Sequence, residues 1–229
     1  MFKTKLKVPL YTAFYSVGRN PLENWAIQCK YGETQQVQDN IIKSNVFQIQ
    51  SPNVNACCIT CPVNPKDSLG ITLPFVTLLV KNLGLLFTFE ITILDSENIR
   101  RRLRVSSYHT HTKVSTFMIA FPICMQKDWN NLSINLADIT SRTFKTTYME
   151  TVRIQVHANC RLRKIYFSDK LYPDDQLPNA YRMHETKNVR EKPKSMLKKK
   201  ELAIEKKSKV NKVVEQSDKL TLPPEQTPD

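Results

Sequence analysis

The sequence predicts an all-β chain: one antiparallel β-sandwich or jelly-roll domain over residues 1–184, with one or two short helical turns, then a disordered lysine-rich tail over residues 185–229. Three observations predict it. Apolar and polar residues alternate in many short stretches, the period of a strand with one buried face. Clusters of Gly, Pro, Asn and Asp separate those stretches. No Phe, Trp or Tyr occurs from Glu185 to Asp229, so that segment cannot bury enough apolar area to offset its ordering entropy.

At the N-terminus, Lys3, Lys5 and Lys7 precede an apolar stretch from Val8 to Val17, but Pro9, Tyr11, Thr12, Tyr15 and Ser16 interrupt it. The segment therefore reads as mature protein and not as a secretory leader. Trp25, Ile27 and Cys29 give the first alternating run. Segments 46–50, 55–61 and 69–80 follow as strand-like stretches, several apolar on both faces as sandwich-core strands can be. Phe89, Ile91 and Ile93 then alternate with Thr88, Glu90 and Thr92. Segment 114–121 is strand-like, and Leu132, Ile134 and Leu136 alternate with Asn131, Ser133 and Asn135. Asp138 is placed to cap a short turn from Ile139 to Phe144. From Val152 to Leu162 one parity is apolar throughout. That run exceeds the usual five or six residues, which predicts a bend or bulge inside it. Segment 164–168 closes the series, and turns such as Gly18-Arg19-Asn20-Pro21 and Asp95-Ser96-Glu97-Asn98 lie between strands, as in a sandwich or jelly roll.

The chain carries 34 Lys and Arg against 21 Asp and Glu, a net +13 with pI near 9.5. Such a balance points to a polyanionic partner: nucleic acid, anionic lipid, or an acidic protein surface such as that of tubulin. Residues 185–229 hold 12 basic and 8 acidic residues, so residues 1–184 keep 22 against 13 and are basic in their own right. No window approaches the roughly 18 consecutive apolar residues of a membrane span, and no membrane partner is expected.

Catalytic signatures are missing. Four glycines in the whole chain leave no glycine-rich phosphate loop, and there is no nucleophile elbow or carboxylate pair in an apolar setting. Cys57, Cys58 and Cys61 contain one Cys-x-x-Cys without a second pair, so the six cysteines read as packed thiols in a reducing compartment, with zinc and redox roles ranked below. His109 and His111 read as polar residues on a solvated strand, and His157, on the polar parity of its strand, as a surface or interface group. No metal or cofactor is expected.

The strongest positive signal is the arginine cluster. In Arg100-Arg101-Arg102-Leu103-Arg104, an extended chain sets Arg100, Arg102 and Arg104 on one face with successive ones about 6.7 Å apart. Guanidinium groups in such a row suit carboxylates on a partner, which they bind in a bidentate manner. Arg153, Arg161, Arg163 and Lys164 extend that surface if their strand lies nearby. The alternative is a solvated face that serves solubility alone.

These residues, read in order, resemble the cilia- and flagella-associated protein family of the inner junction of axonemal doublet microtubules. The resemblance is carried by Tyr15-Ser16-Val17-Gly18, Ile59-Thr60-Cys61-Pro62, Leu73-Pro74-Phe75, Phe87-Thr88-Phe89-Glu90 and the arginine cluster. It is densest over His157-Ala158-Asn159-Cys160-Arg161 and Tyr166-Phe167-Ser168-Asp169. It spans residues 1–180. It implies a jelly-roll domain without enzymatic activity that contacts tubulin where the two tubules meet, alternating with the Parkin co-regulated protein. It also implies residence in the cytoskeleton of a cilium or flagellum, at the axoneme and basal body. Gly84 and Leu85 depart from a pattern that is basic in the family. The competing readings are a nucleic-acid binder, disfavoured by few stacking aromatics, and a carbohydrate-binding module, disfavoured because Trp25 and Trp129 occupy core positions in the pattern.

Overall fold

Alternation becomes two packed sheets in the computed structural model, which describes residues 8–183. The lysine-rich tail expected to be disordered lies outside the described residues, as do Lys3, Lys5 and Lys7. The first sheet is ordered β11 (Asp128–Asn135), β6 (Phe75–Asn82), β13 (Cys160–Ser168), β4 (Ser44–Gln50) and β3 (Glu33–Asp39), with β1 (Leu10–Tyr15) paired to the later part of β13. The second is ordered β2 (Ala26–Cys29), β5 (Cys57–Cys61), β12 (Tyr148–His157), β7 (Thr88–Asp95), β8 (Arg100–Ser106), β10 (Met118–Pro122) and β9 (Lys113–Val114). The pairs are antiparallel except β8 with β10, which run parallel and are joined by an excursion through residues 107–117.

The core lies between the sheets. Val76, Leu78 and Val80 of β6 sit beside Phe167, Ile165 and Leu162 of β13, and face Phe89, Ile91 and Ile93 of β7 with Leu103 and Val105 of β8, all fully buried. Burial of this kind contributes roughly 25 cal/mol per Å² of apolar surface. Phe14 meets Trp25 edge-on at 5.5 Å, and the Trp25 indole N–H donates to the Ala13 carbonyl, so the expected core role of Trp25 holds.

The long apolar run has the expected bulge at its first residue, Val152, between the pairs Thr151↔Ile93 and Arg153↔Thr92, but it is two strands and not one. β12 ends at His157 in the second sheet, and after Ala158 and Asn159 the chain begins β13 in the first. Both strands keep their apolar side chains toward the same core, so the parity continues while the sheet changes. A bulge at Arg163, between the pairs Leu162↔Val80 and Lys164↔Leu79, then inverts the parity for the rest of β13.

Two strands have no alternating signal. β1 carries a bulge between Thr12 and Phe14, and β3, Glu33-Thr34-Gln35-Gln36-Val37-Gln38-Asp39, is an edge strand held by its pairing with β4. The stretch 114–121 is a tight hairpin of β9 and β10, not one strand. The helix α1 (Leu136–Phe144) starts earlier than expected, and its cap is Asn135, whose side chain accepts from the Asp138 N–H at 3.0 Å. Asp138 instead accepts from Arg142 one turn on.

Candidate partner-binding face

The outward face of the second sheet is built by register. Arg102 lies opposite Thr92, which lies opposite Arg153, so these side chains form one row across β8, β7 and β12. With strands about 4.8 Å apart, Arg102 and Arg153 stand roughly 10 Å from each other. The neighbouring rows are Arg100, Leu94 and Glu150 on one side, and Arg104, Glu90 and Gln155 on the other. Arg100, Arg102 and Arg104 therefore share a face, as their spacing predicts. Arg153 joins them from two strands away.

Charge on this face is unbalanced. Four guanidinium groups meet two carboxylates, Glu90 and Glu150. Arg104 is bound to Glu90, donating from Nε at 2.7 Å and also from a terminal nitrogen. Arg102, with 54% of its side chain exposed, approaches the other Glu90 oxygen only to 3.4 Å. Glu150 accepts from the Ser68 hydroxyl at 2.7 Å. Arg153 donates to the Pro62 and Asn64 carbonyls. Burial lowers its pKa, with further lowering from the nearby positive charge of Arg100, and the Cys61 and Asp67 side chains oppose both. Arg100 makes no ion pair among the described residues and is exposed.

The other expected cations do not extend this face. Arg101 points inward from the start of β8 and is buried, donating to Asp95 Oδ2 at 2.7 Å, to Glu97 Oε2 at 3.0 Å and to the Thr116 carbonyl, with its guanidinium 4.9 Å from the Phe144 ring centre. Asp95 also accepts from Thr146 and the Ile99 N–H. Burial would raise its pKa, and these donors together with the Arg101 charge lower it below the ordinary carboxylate value. Arg161, Arg163 and Lys164 belong to β13, in the opposite sheet. Arg161 faces outward on that side of the sandwich and donates to Gln48 and to Asp39. Arg163, in the bulge, donates to Ser44 and Asn45 and lies over Tyr15. Lys164 is held by the Ala180 carbonyl between the rings of Tyr15 and Tyr181. The apolar parity is the same on β12 and β13, so sequence could not show that the chain had crossed to the other sheet. The fully buried Asp39 also receives Lys81 and the Trp129 indole N–H. Burial would raise its pKa, and the bonds from Lys81, Trp129, the Ile41 N–H and Arg161 pull it far below the usual value.

Three other expectations change. Cys29 and Cys57, directly opposite on β2 and β5, form a disulfide, where packed thiols were expected. Strand pairing brings together two residues 28 apart in sequence that no short motif connects. Cys58, Cys61, Cys124 and Cys160 are free, and burial pushes the Cys61 thiol up to about 12. His109 and His111 lie on the excursion between β8 and β10, not on a strand, and His109 Nδ1 is bonded to Ser106. His157 is buried rather than displayed. Neither ring nitrogen finds a hydrogen bond among the described residues, and Nε2 is 3.8 Å from Glu90. Burial lowers its pKa, Glu90 raises it and Arg104 lowers it further. No group of three or more His, Cys, Asp or Glu suited to a metal exists among the described residues.

A β-sandwich domain with a cationic strand face is a class that many unrelated proteins share. The chain belongs to the family defined by the CFA20 domain, which matches residues 1–185. Proteins named cilia- and flagella-associated protein 20 are 43% identical to it over 183 residues in Paramecium tetraurelia and in Chlamydomonas reinhardtii, covering 80% of this chain and 96% of each relative. The Caenorhabditis elegans protein of that name is 41% identical over 184 residues, covering 80% of this chain and 91% of its own.

Proposed function

We propose that this chain is a non-enzymatic structural protein of cilia or flagella that binds microtubules through the outward face of its second sheet. The observation that carries the reading is the row of Arg102 and Arg153 with Arg100 beside it. These are guanidinium groups on a rigid sheet, in excess of their carboxylate neighbours and positioned by backbone pairing. Carboxylates repeated on a polymer lattice are the complementary surface, since each guanidinium offers a planar fork of donors. The family membership and the names of the relatives supply the compartment. Within it, the inner junction of the doublet, beside tubulin and the Parkin co-regulated protein, is the position the resemblance favours, with the axoneme and basal body as the places to look.

The test is co-sedimentation with taxol-stabilised microtubules, before and after subtilisin removes tubulin's acidic tails. Arg100→Glu with Arg102→Glu is expected to weaken association several-fold at low salt and to leave the melting temperature within about 2 °C, since both side chains are exposed. Failure of the unmodified protein to sediment with either preparation would overturn the reading.

A further inference from the structure

The parallel pairing of β10 with β8 carries the outward face past the arginine strand. Ala120 lies opposite Arg104 on one side and opposite Lys113 of β9 on the other, so Lys113, Ala120, Arg104 and Glu90 form one row across β9, β10, β8 and β7. Residues paired across neighbouring strands point to the same side of a sheet, which sets Lys113 on the face of Arg100 and Arg102. Met118, half-buried, takes the place beside Arg102 in the next row. Lys113 is exposed and makes no ion pair among the described residues. The hairpin that carries it is anchored to β8: the Arg102 N–H donates to the Phe117 carbonyl and the Ser115 N–H to the Met118 carbonyl, both at 2.8 Å. Burial lowers the pKa of His109, and the charges of Lys113, Arg104 and His111 lower it further, so Lys113 and Arg104 bear on the same imidazole.

Distances follow from the pairing. Two strand spacings, about 10 Å, separate Lys113 from Arg104, and Arg102 in the next row is about 12 Å from Lys113. We propose that Lys113 is a fourth cation of the partner-binding face, beside Arg100, Arg102 and Arg153, and that the partner is an acidic protein surface whose carboxylates are spread over about 20 Å across the strands. This rests on the microtubule-binding reading and states how the charges of that partner must be spaced. Arg104 lies between these cations but is already bound to Glu90, so it adds little to the contact. A compact anion would reach only one or two of the four. A nucleic acid duplex carries a charge about every 1.7 Å of its axis, so cations this far apart leave most phosphates unmet. The half-buried Met118 and Leu94 between them also offer apolar surface that phosphates cannot use. A second copy of this chain fits poorly, because residues 1–184 are basic and the cations would face their own kind.

The experiment measures microtubule co-sedimentation across a salt series for the unmodified chain, Lys113→Ala, Lys113→Arg, Arg102→Ala and Lys127→Ala, with thermal melting of each. Lys127 is exposed just before β11 in the opposite sheet, so its removal lowers the net charge equally without touching this face. Lys113→Ala is expected to bind about threefold more weakly at low salt and to flatten the salt dependence, as Arg102→Ala does, because each loses one screened charge contact. Lys113→Arg keeps the charge and should bind like the unmodified chain, and Lys127→Ala should leave binding unchanged. If the unmodified chain binds and Lys113→Ala matches Lys127→Ala, the inference falls while the functional reading stands. If the unmodified chain does not bind, both fall. Equal loss in Lys113→Arg and Lys113→Ala, or a melting temperature lowered by several degrees in both, would make the position structural and overturn the inference. So would a loss confined to self-association or to binding of a double-stranded oligonucleotide while microtubule binding is retained.

Discussion

Arg101 and Arg102 are adjacent arginines in the same strand, and the structure assigns them opposite consequences on removal. The Arg101 side chain is 6% exposed and donates to the fully buried Asp95, to Glu97 and to the Thr116 carbonyl. Arg101→Ala leaves the Asp95 carboxylate buried without its cation, a change that ordinarily costs about 3–5 kcal/mol. Asp95 keeps the Thr146 hydroxyl and the N–H groups of Glu97 and Ile99, which places the expected loss near the lower end, about 3 kcal/mol. For a domain of this size each kcal/mol moves the melting temperature by about 2–4 °C, so a fall of roughly 6–12 °C follows. Arg102→Ala removes an exposed group whose nearest carboxylate oxygen is 3.4 Å away, worth at most about 0.5 kcal/mol. Melting of both variants by circular dichroism, with Arg101→Met, Asp95→Asn and the two combined, separates the pair from its packing. The double change should cost less than the sum of the single changes, because no unpaired charge remains. A shift below about 2 °C for Arg101→Ala, equal to that of Arg102→Ala, would refute the assignment of Arg101 to a structural role.

Stability should fall with acid in two stages. His157, whose folded pKa is lowered by burial, contributes stability that is full above the unfolded value of about 6.5 and lost as pH falls below it. Asp39 and Asp95, whose folded pKa values are depressed, contribute stability present above about pH 4 and lost as pH falls further. Urea midpoints measured from pH 7.5 to 3 check both stages, and His157→Gln should shrink the upper one without touching the lower, leaving the part supplied by His109, whose pKa burial also lowers; an unchanged slope between pH 7 and 5 in that variant would count against the buried neutral imidazole. Peptide mapping without reductant should recover a Cys29–Cys57 cross-linked pair. Reduction should lower stability by about 3.6 kcal/mol for a loop of this length, and recovery of both residues as free thiols would remove the disulfide from the description.

How much could be read before the fold depended on whether a signal was local. The strands of the core announced themselves because Phe89, Ile91 and Ile93, or Leu132 and Ile134, must put every second side chain on one face. The shared face of Arg100, Arg102 and Arg104 follows from the same period. β3 left no trace, since its polar residues are held as a strand by β4 and not by a buried face of their own. The capping residue was misplaced by three positions because Asn135 and Asp138 are both good caps and the chain entering from β11 selects between them.

Residue order alone was enough for an all-β sandwich, a basic character and an arginine row, because strand period and charge are properties of neighbours along the chain. Which cations remain available to a partner is a property of neighbours in space. The crossing at Ala158 and Asn159 moved Arg161, Arg163 and Lys164 to the opposite sheet, and the bulge at Arg163 turned Lys164 under Tyr181. The start of β8 placed Arg101 over Asp95. Alternation reports only whether a side chain points toward the core or away from it, and it carries no information on which side of the core the strand lies.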